Sequence, residues 1–216
     1  MTERTRVRRL PELAHDDRST LDALLDAALV AHVAIADGSG PVVLPMACAR
    51  DGDRLLVHGS TGSRLMRALT AGSPSCTTIT LLDGAIYARS AFASSMRYRS
   101  AVVFGRYSLA EDQLRALEVL TERLLPGRWS ELRRPTDKEL AATTVLAIPL
   151  LEWSVKVSDG WPDDDPADLD APVWAGVVPC CTMWGPELDA PDLAPGRRPS
   201  TAVLDRITLD DTWRTR

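Results

Sequence analysis

The segment with the clearest chemistry runs from His58 to Arg64. An apolar run, Leu55-Leu56-Val57, ends at His58, and Gly59-Ser60-Thr61-Gly62-Ser63 follows. Arg64 then opens a stretch with helical spacing, in which Leu65, Met66 and Leu69 share a face. The first backbone N–H groups of a helix have no internal partners and point outward. Glycines let a ligand approach those groups, hydroxyls add donors, and a guanidinium adds charge. That combination suits a phosphate. The same residues also read as a Ser/Thr helix cap followed by a solvated arginine.

Other reactive residue types are sparse. His15 lies in a polar N-terminal segment and His32 begins a strand, and both read as structural. Cys48, Cys76, Cys180 and Cys181 have no framework spacing. The adjacent pair is a poor disulfide and a poor zinc half-site, so the thiols read as reduced, in a cytoplasmic protein without a metal site. The net charge of −5 argues against nucleic-acid binding through a general positive field. No apolar run approaches the roughly 18–20 residues that span a bilayer, and none follows the charged start MTERTRVRRLPEL, so neither a membrane span nor a signal peptide is expected.

Several elements must position the central segment. Ser19 opens a helix with Leu21, Leu24, Leu25, Ala28 and Leu29 at helical spacing. Short strands cover His32 to Ala36, Pro41 to Arg50 and Arg54 to His58. They are punctuated by Asp37-Gly38-Ser39-Gly40 and Asp51-Gly52-Asp53. Ser75 to Leu82 is another strand, Asp83-Gly84 is a hairpin signal with Ala85 to Ser90 returning, and Arg99 to Tyr107 follows. Glu111 to Leu125 is an amphipathic helix, and Thr136 with Glu139 forms a capping box. Val145 to Val157 reads as one long strand with Pro149 at a bulge or edge. Hairpin-linked strands favour an antiparallel, mainly β fold with helices. The expected organisation is an N-terminal segment over 1–18, a barrel domain over 19–158, an irregular wrap over 159–190 and a poorly ordered tail over 191–216.

Five segments in order, VVLPMACAR (42–50), LLVHGSTGSRL (55–65), MRYRSAVVFGR (96–106), LPGRWSELRRPTDKELAATTVLAI (125–148) and EWSVK (152–156), carry a family resemblance. The chain resembles the pyridoxamine-phosphate-oxidase-like split-barrel flavoproteins over about residues 5 to 180. Within them it is more similar to the flavin-nucleotide-binding subgroup that contains the nitroimidazole reductases. The last 30 or so residues carry no usable resemblance. The resemblance implies an antiparallel split β-barrel that binds FMN as a homodimer, with the cofactor at the subunit interface. The alternatives within the fold are F420 and haem.

Carried over by position, the resemblance places Pro45 and Met46 along the flavin ring, where core packing is the other reading. It puts His58, Gly59 and Ser60 along the ring and ribityl chain, and Ser63 and Arg64 on the phosphate. Ser100 would face the flavin from a neighbouring strand, often of the second subunit, with Arg97 and Tyr98 shaping the pocket. Lys156 and Trp174 would come from the C-terminal part. His58 becomes the candidate catalytic residue, a proton donor for a small oxidised substrate of nitroaromatic type reduced by way of a nicotinamide. The other readings of His58 are a plain hydrogen-bonding residue or a haem axial ligand in a non-catalytic carrier. Oxidases proper carry an Arg-x-His segment near the C-terminus. Here no histidine follows His58, which speaks against true pyridoxamine-phosphate oxidation.

Overall fold

A computed structural model describes residues 2–208. A two-residue strand, β1 (Ala14–His15), leads into α1 (Arg18–Ala27). Asp17, not Ser19, starts that helix: its carboxylate accepts from the Thr20 N–H at 2.8 Å. Leu21, Leu24 and Leu25 are buried along one stripe. Each such leucine contributes about 1.5–3 kcal/mol by leaving water.

The strands β2 (Val30–Asp37), β3 (Gly40–Asp51) and β4 (Arg54–Ser60) are joined by the two predicted turns. Gly52 has φ of 59°, the left-handed conformation that a tight hairpin turn requires. Then come α2 (Arg64–Thr70), β5 (Pro74–Tyr87), β6 (Ser95–Arg106), β7 (Ser108–Leu109) and α3 (Gln113–Leu124). The short α4 (Asp137–Ala142) carries the predicted capping box between Thr136 and Glu139. The chain continues through β8 (Thr143–Pro149), β9 (Glu152–Ser158), β10 (Gly176–Pro179) and α5 (Thr201–Thr208).

All pairings are antiparallel, in the order β1-β9-β6-β5-β2-β3-β4-β8-β7. The sheet curls until Gly105 of β6 meets β8, where a Cβ would lie 3.2 Å from Ile148 Cδ1. It does not close. One edge of β5 is shared: β2 pairs with Ser75–Thr78 and β10 pairs with Gly84–Tyr87, leaving a gap between them. This is a split antiparallel β-barrel.

The inner face and α1 and α2 form the main core, with Val33, Leu55, Val57, Leu69, Ile79, Val103, Leu146 and Ile148 fully buried. A smaller core lies outside the barrel, where Ala116 and Leu120 of α3 cover Ala49, Leu56, Val145 and Ala147.

Two sequence expectations need correction. Asp83-Gly84 is not a hairpin. β6 runs beside the whole of β5, so the strand passes straight through and only its register slips between Leu82 and Gly84. Val145 to Val157 is two strands, because the chain turns back after Pro149 through Leu150 and Leu151. Within the expected wrap over 159–190, β10 adds to β5, and α5 lies in the stretch over 191–216 expected to be poorly ordered. Residues 209–216 lie outside the described residues. Among the described residues, no helix is long and apolar enough to cross a membrane.

Candidate functional site

The turn between β4 and α2 uses much of its own polarity. Ser63 caps α2, its hydroxyl accepting from the Met66 N–H at 3.4 Å. Ser60 Oγ accepts from the Gly62 N–H at 3.2 Å, and the Thr61 N–H donates to the Ala142 carbonyl at 3.1 Å. Packing already calls for a glycine at 59: a Cβ there would lie 2.9 Å from Met66 Cγ. Arg64 is 61% exposed and reaches across to the β2–β3 hairpin, where it pairs with Asp37 and donates to Ser39 Oγ. The Ser39 N–H and hydroxyl, and then Arg64, hold the Asp37 carboxyl down to about 2. The sequence reading missed Asp37 and Ser39, because they looked like turn residues only.

His58 belongs to a different surface. Alternation along β4 sends Leu55 and Val57 into the barrel and Leu56 and His58 outward. His58 lies opposite Val145 and opens into a groove of about 470 Å³ between the sheet and the helical side. Its walls include Leu117 of α3, Trp129, Leu132, Arg133 and Glu139 of α4. Trp129 is buried, and its Nε1–H has no hydrogen-bond partner. Arg133 forks onto the Glu139 carboxylate at 2.7 and 2.8 Å. Desolvation by these walls lowers the His58 imidazole below its ordinary value, which favours the neutral ring. None of Ser60, Ser63 and Arg64 lines this groove. The groove residues come from β4, α3, the Trp129–Pro135 segment, α4 and β8, so no local pattern marks them in the sequence.

The remaining expected residues divide between faces. Register carries Pro45 through His32 and Thr78 to Val102, so Pro45 shares the outer sheet face with Ser100, two residues from Val102. Lys156 stands opposite Ser100 and donates to the Arg9 carbonyl at 2.9 Å. Tyr98 is on that face too. Met46 turns inward and packs against the core. Arg97 donates to the Gly160 carbonyl at 2.9 Å and lies over the Trp161 ring at 5.0 Å. Trp174 rests on Tyr87, with ring centroids 5.9 Å apart.

The family model described as pyridoxamine 5'-phosphate oxidase matches residues 17–157. The chain belongs to that family. Two solved structures resemble this family member over almost their whole length. A FAD- and haem-binding protein from Mycobacterium smegmatis is 45% identical with a TM-score of 0.87, covering 90% of this chain and 97% of that one. The flavocytochrome Anf3 from Azotobacter vinelandii is 36% identical with a TM-score of 0.89, covering 95% and 97%. The second similarity therefore runs past residue 180, further than the sequence segments reach. A protein proposed to confer 5-nitroimidazole resistance in Bacteroides thetaiotaomicron, 22% identical with a TM-score of 0.56 over 67% of this chain and 86% of that one, shares the fold. No curated protein matches the family member.

Proposed function

We propose that this chain is a redox protein that binds a flavin nucleotide and a haem, with His58 as the residue that would hold the haem iron. The division of His58 and Arg64 carries this reading: the imidazole lines the groove while the guanidinium reaches away to Asp37 on the β2–β3 hairpin, so the two can serve two groups rather than one. The similarity to a FAD- and haem-binding protein and to a flavocytochrome supports it.

The residues of the groove fit a haem. A neutral imidazole offers the lone pair that iron takes. Leu117, Trp129 and Leu132 give apolar walls, and the volume lies within the roughly 300–1,000 Å³ of small-molecule sites. The Arg133 guanidinium, held by Glu139 at the groove wall, is the cation there that a carboxylate of the group would meet. The same lowering of the imidazole makes His58 a weak proton donor at neutral pH, so it suits ligation better than acid catalysis.

The flavin reading rests on Arg64 for the phosphate and on the outer face with Pro45, Tyr98, Ser100 and Lys156 for the ring. FAD is the proposed flavin because the similar M. smegmatis protein binds it, with FMN and F420 as the other arms of the test. Bound flavin and haem together supply two-electron and one-electron chemistry. The proposal includes a homodimer, a nicotinamide donor and a small oxidised acceptor, in the cytoplasm, where the four free cysteines would stay reduced.

Absorption of the purified protein tests the reading. A Soret band together with flavin bands is expected, and chromatography of the released flavin separates FAD from FMN and F420. His58→Ala should remove the Soret band and leave the flavin bands. A wild-type protein without a Soret band, or an H58A protein that keeps it, would overturn the haem assignment.

A further inference from the structure

The gap in the barrel along β5 contains a second basic site. Between the β2 and β10 pairings, Thr80 and Leu81 face a cavity of about 480 Å³. Val30 at the start of β2 borders it, as do Thr182 and Trp184 just after β10. Two guanidiniums enter it, Arg123 from the end of α3 and Arg206 from α5.

Neither arginine has an acidic partner within ion-pair distance among the described residues. Arg123 spends its Nε on the Ala28 carbonyl at 3.2 Å. Arg206 lies over the Trp184 ring at 4.4 Å, and its buried Nε has no hydrogen-bond partner. Desolvation and the charge of Arg206 both press the Arg123 guanidinium toward its neutral form. The carboxylate that acts on Arg123, that of Asp26, is committed to Arg50. Two desolvated like charges in one cavity are costly unless an anion joins them.

We propose that this cavity binds the phosphate groups of a small organic phosphate, gripped by Arg123 and Arg206 with the Thr80 and Thr182 hydroxyls beside them. Guanidinium forks match phosphate geometry, and the cavity is large enough for an organic group as well as the anion. The site is separate from the Arg64 turn. Arg64 pairs with Asp37 at the far end of β2, seven residues from Val30 and so about 23 Å away along an extended strand. The inference goes beyond the flavin and haem reading and does not depend on it.

Titration calorimetry of the full-length purified protein with inorganic pyrophosphate, adenosine diphosphate and adenosine tests it. Pyrophosphate and adenosine diphosphate should bind, and adenosine should not. Arg206→Gln should weaken both by about tenfold or more, the loss typical of a charged hydrogen-bonding partner. Arg115→Gln, on the exposed side of α3 where the guanidinium pairs with Glu118, should leave them unchanged. Equal binding by R206Q, loss of binding in R115Q, or no heat with either phosphate in the wild type would each overturn the site. Unchanged flavin absorption and melting temperature in R206Q show that the variant is folded.

Discussion

Among single residues, Arg64 has its charge already shared with Asp37 and Ser39, so a flavin phosphate bound there as proposed would have to compete with a carboxylate for it. The pair is exposed, and exposed pairs are weak. Asp37→Asn should therefore tighten flavin binding by about two- to fivefold, measured by fluorescence quenching of added flavin. Looser binding in D37N would mean instead that Asp37 positions the guanidinium. Acid is a poor substitute for the mutation. A carboxyl lowered from 3.8 to about 2 keeps its pairing above 3.8 and loses it only as pH falls through about 2. Residue types alone made Arg64 and His58 conspicuous. They did not reveal that Gly59 serves Met66, because a glycine required by a neighbour's bulk looks the same as one required by a ligand.

At the level of elements, the strand that carries β10 explains most of the difference between sequence reading and structure. Asp83-Gly84 has the composition of a hairpin turn, and only the uninterrupted partner strand β6 keeps β5 straight there. The glycine is needed because a different backbone passes close by. A Cβ at residue 84 would lie 2.8 Å from the Val178 carbonyl oxygen and 3.3 Å from Pro179 Cα. Backbone cannot swing away as a long side chain can. Gly84→Ala should therefore peel β10 from β5 while the rest of the barrel stays folded. Hydrogen exchange should show fast exchange confined to 176–179 and its neighbours on β5, and wild-type protection there in G84A would refute this close approach. Local signals served better where an element is closed by its own residues. The Thr136–Glu139 capping box and the turns at 37–40 and 51–53 are legible because their hydrogen bonds and φ angles are local. β10 and the His58 groove depend on partners far along the chain and left no such trace.

For the whole molecule, the barrel leaves apolar surface uncovered in a single chain. β5 and β6 bury Thr77, Ile79, Ala101 and Val103 inward, while Val102, Ser100 and Thr80 remain on the outer face. Val43, 54% exposed, lies on that face with Pro45 and Ala34. A face of this kind is where a second copy would pack, and a stable interface takes about 800 Å² from each partner. Because Pro45, Ser100 and Lys156 share it, association and flavin binding should be linked. Sedimentation at micromolar concentration should give twice the 23.5 kDa chain mass. Val43→Glu places a charge in the centre of the proposed interface, where an unpaired buried charge is strongly unfavourable. It should shift the protein to monomer and release flavin in the same concentration range, and wild-type helicity by circular dichroism would show that the fold survives. A V43E dimer, or a V43E monomer that holds flavin as tightly as the wild type, would place the flavin within one chain and move the interface elsewhere.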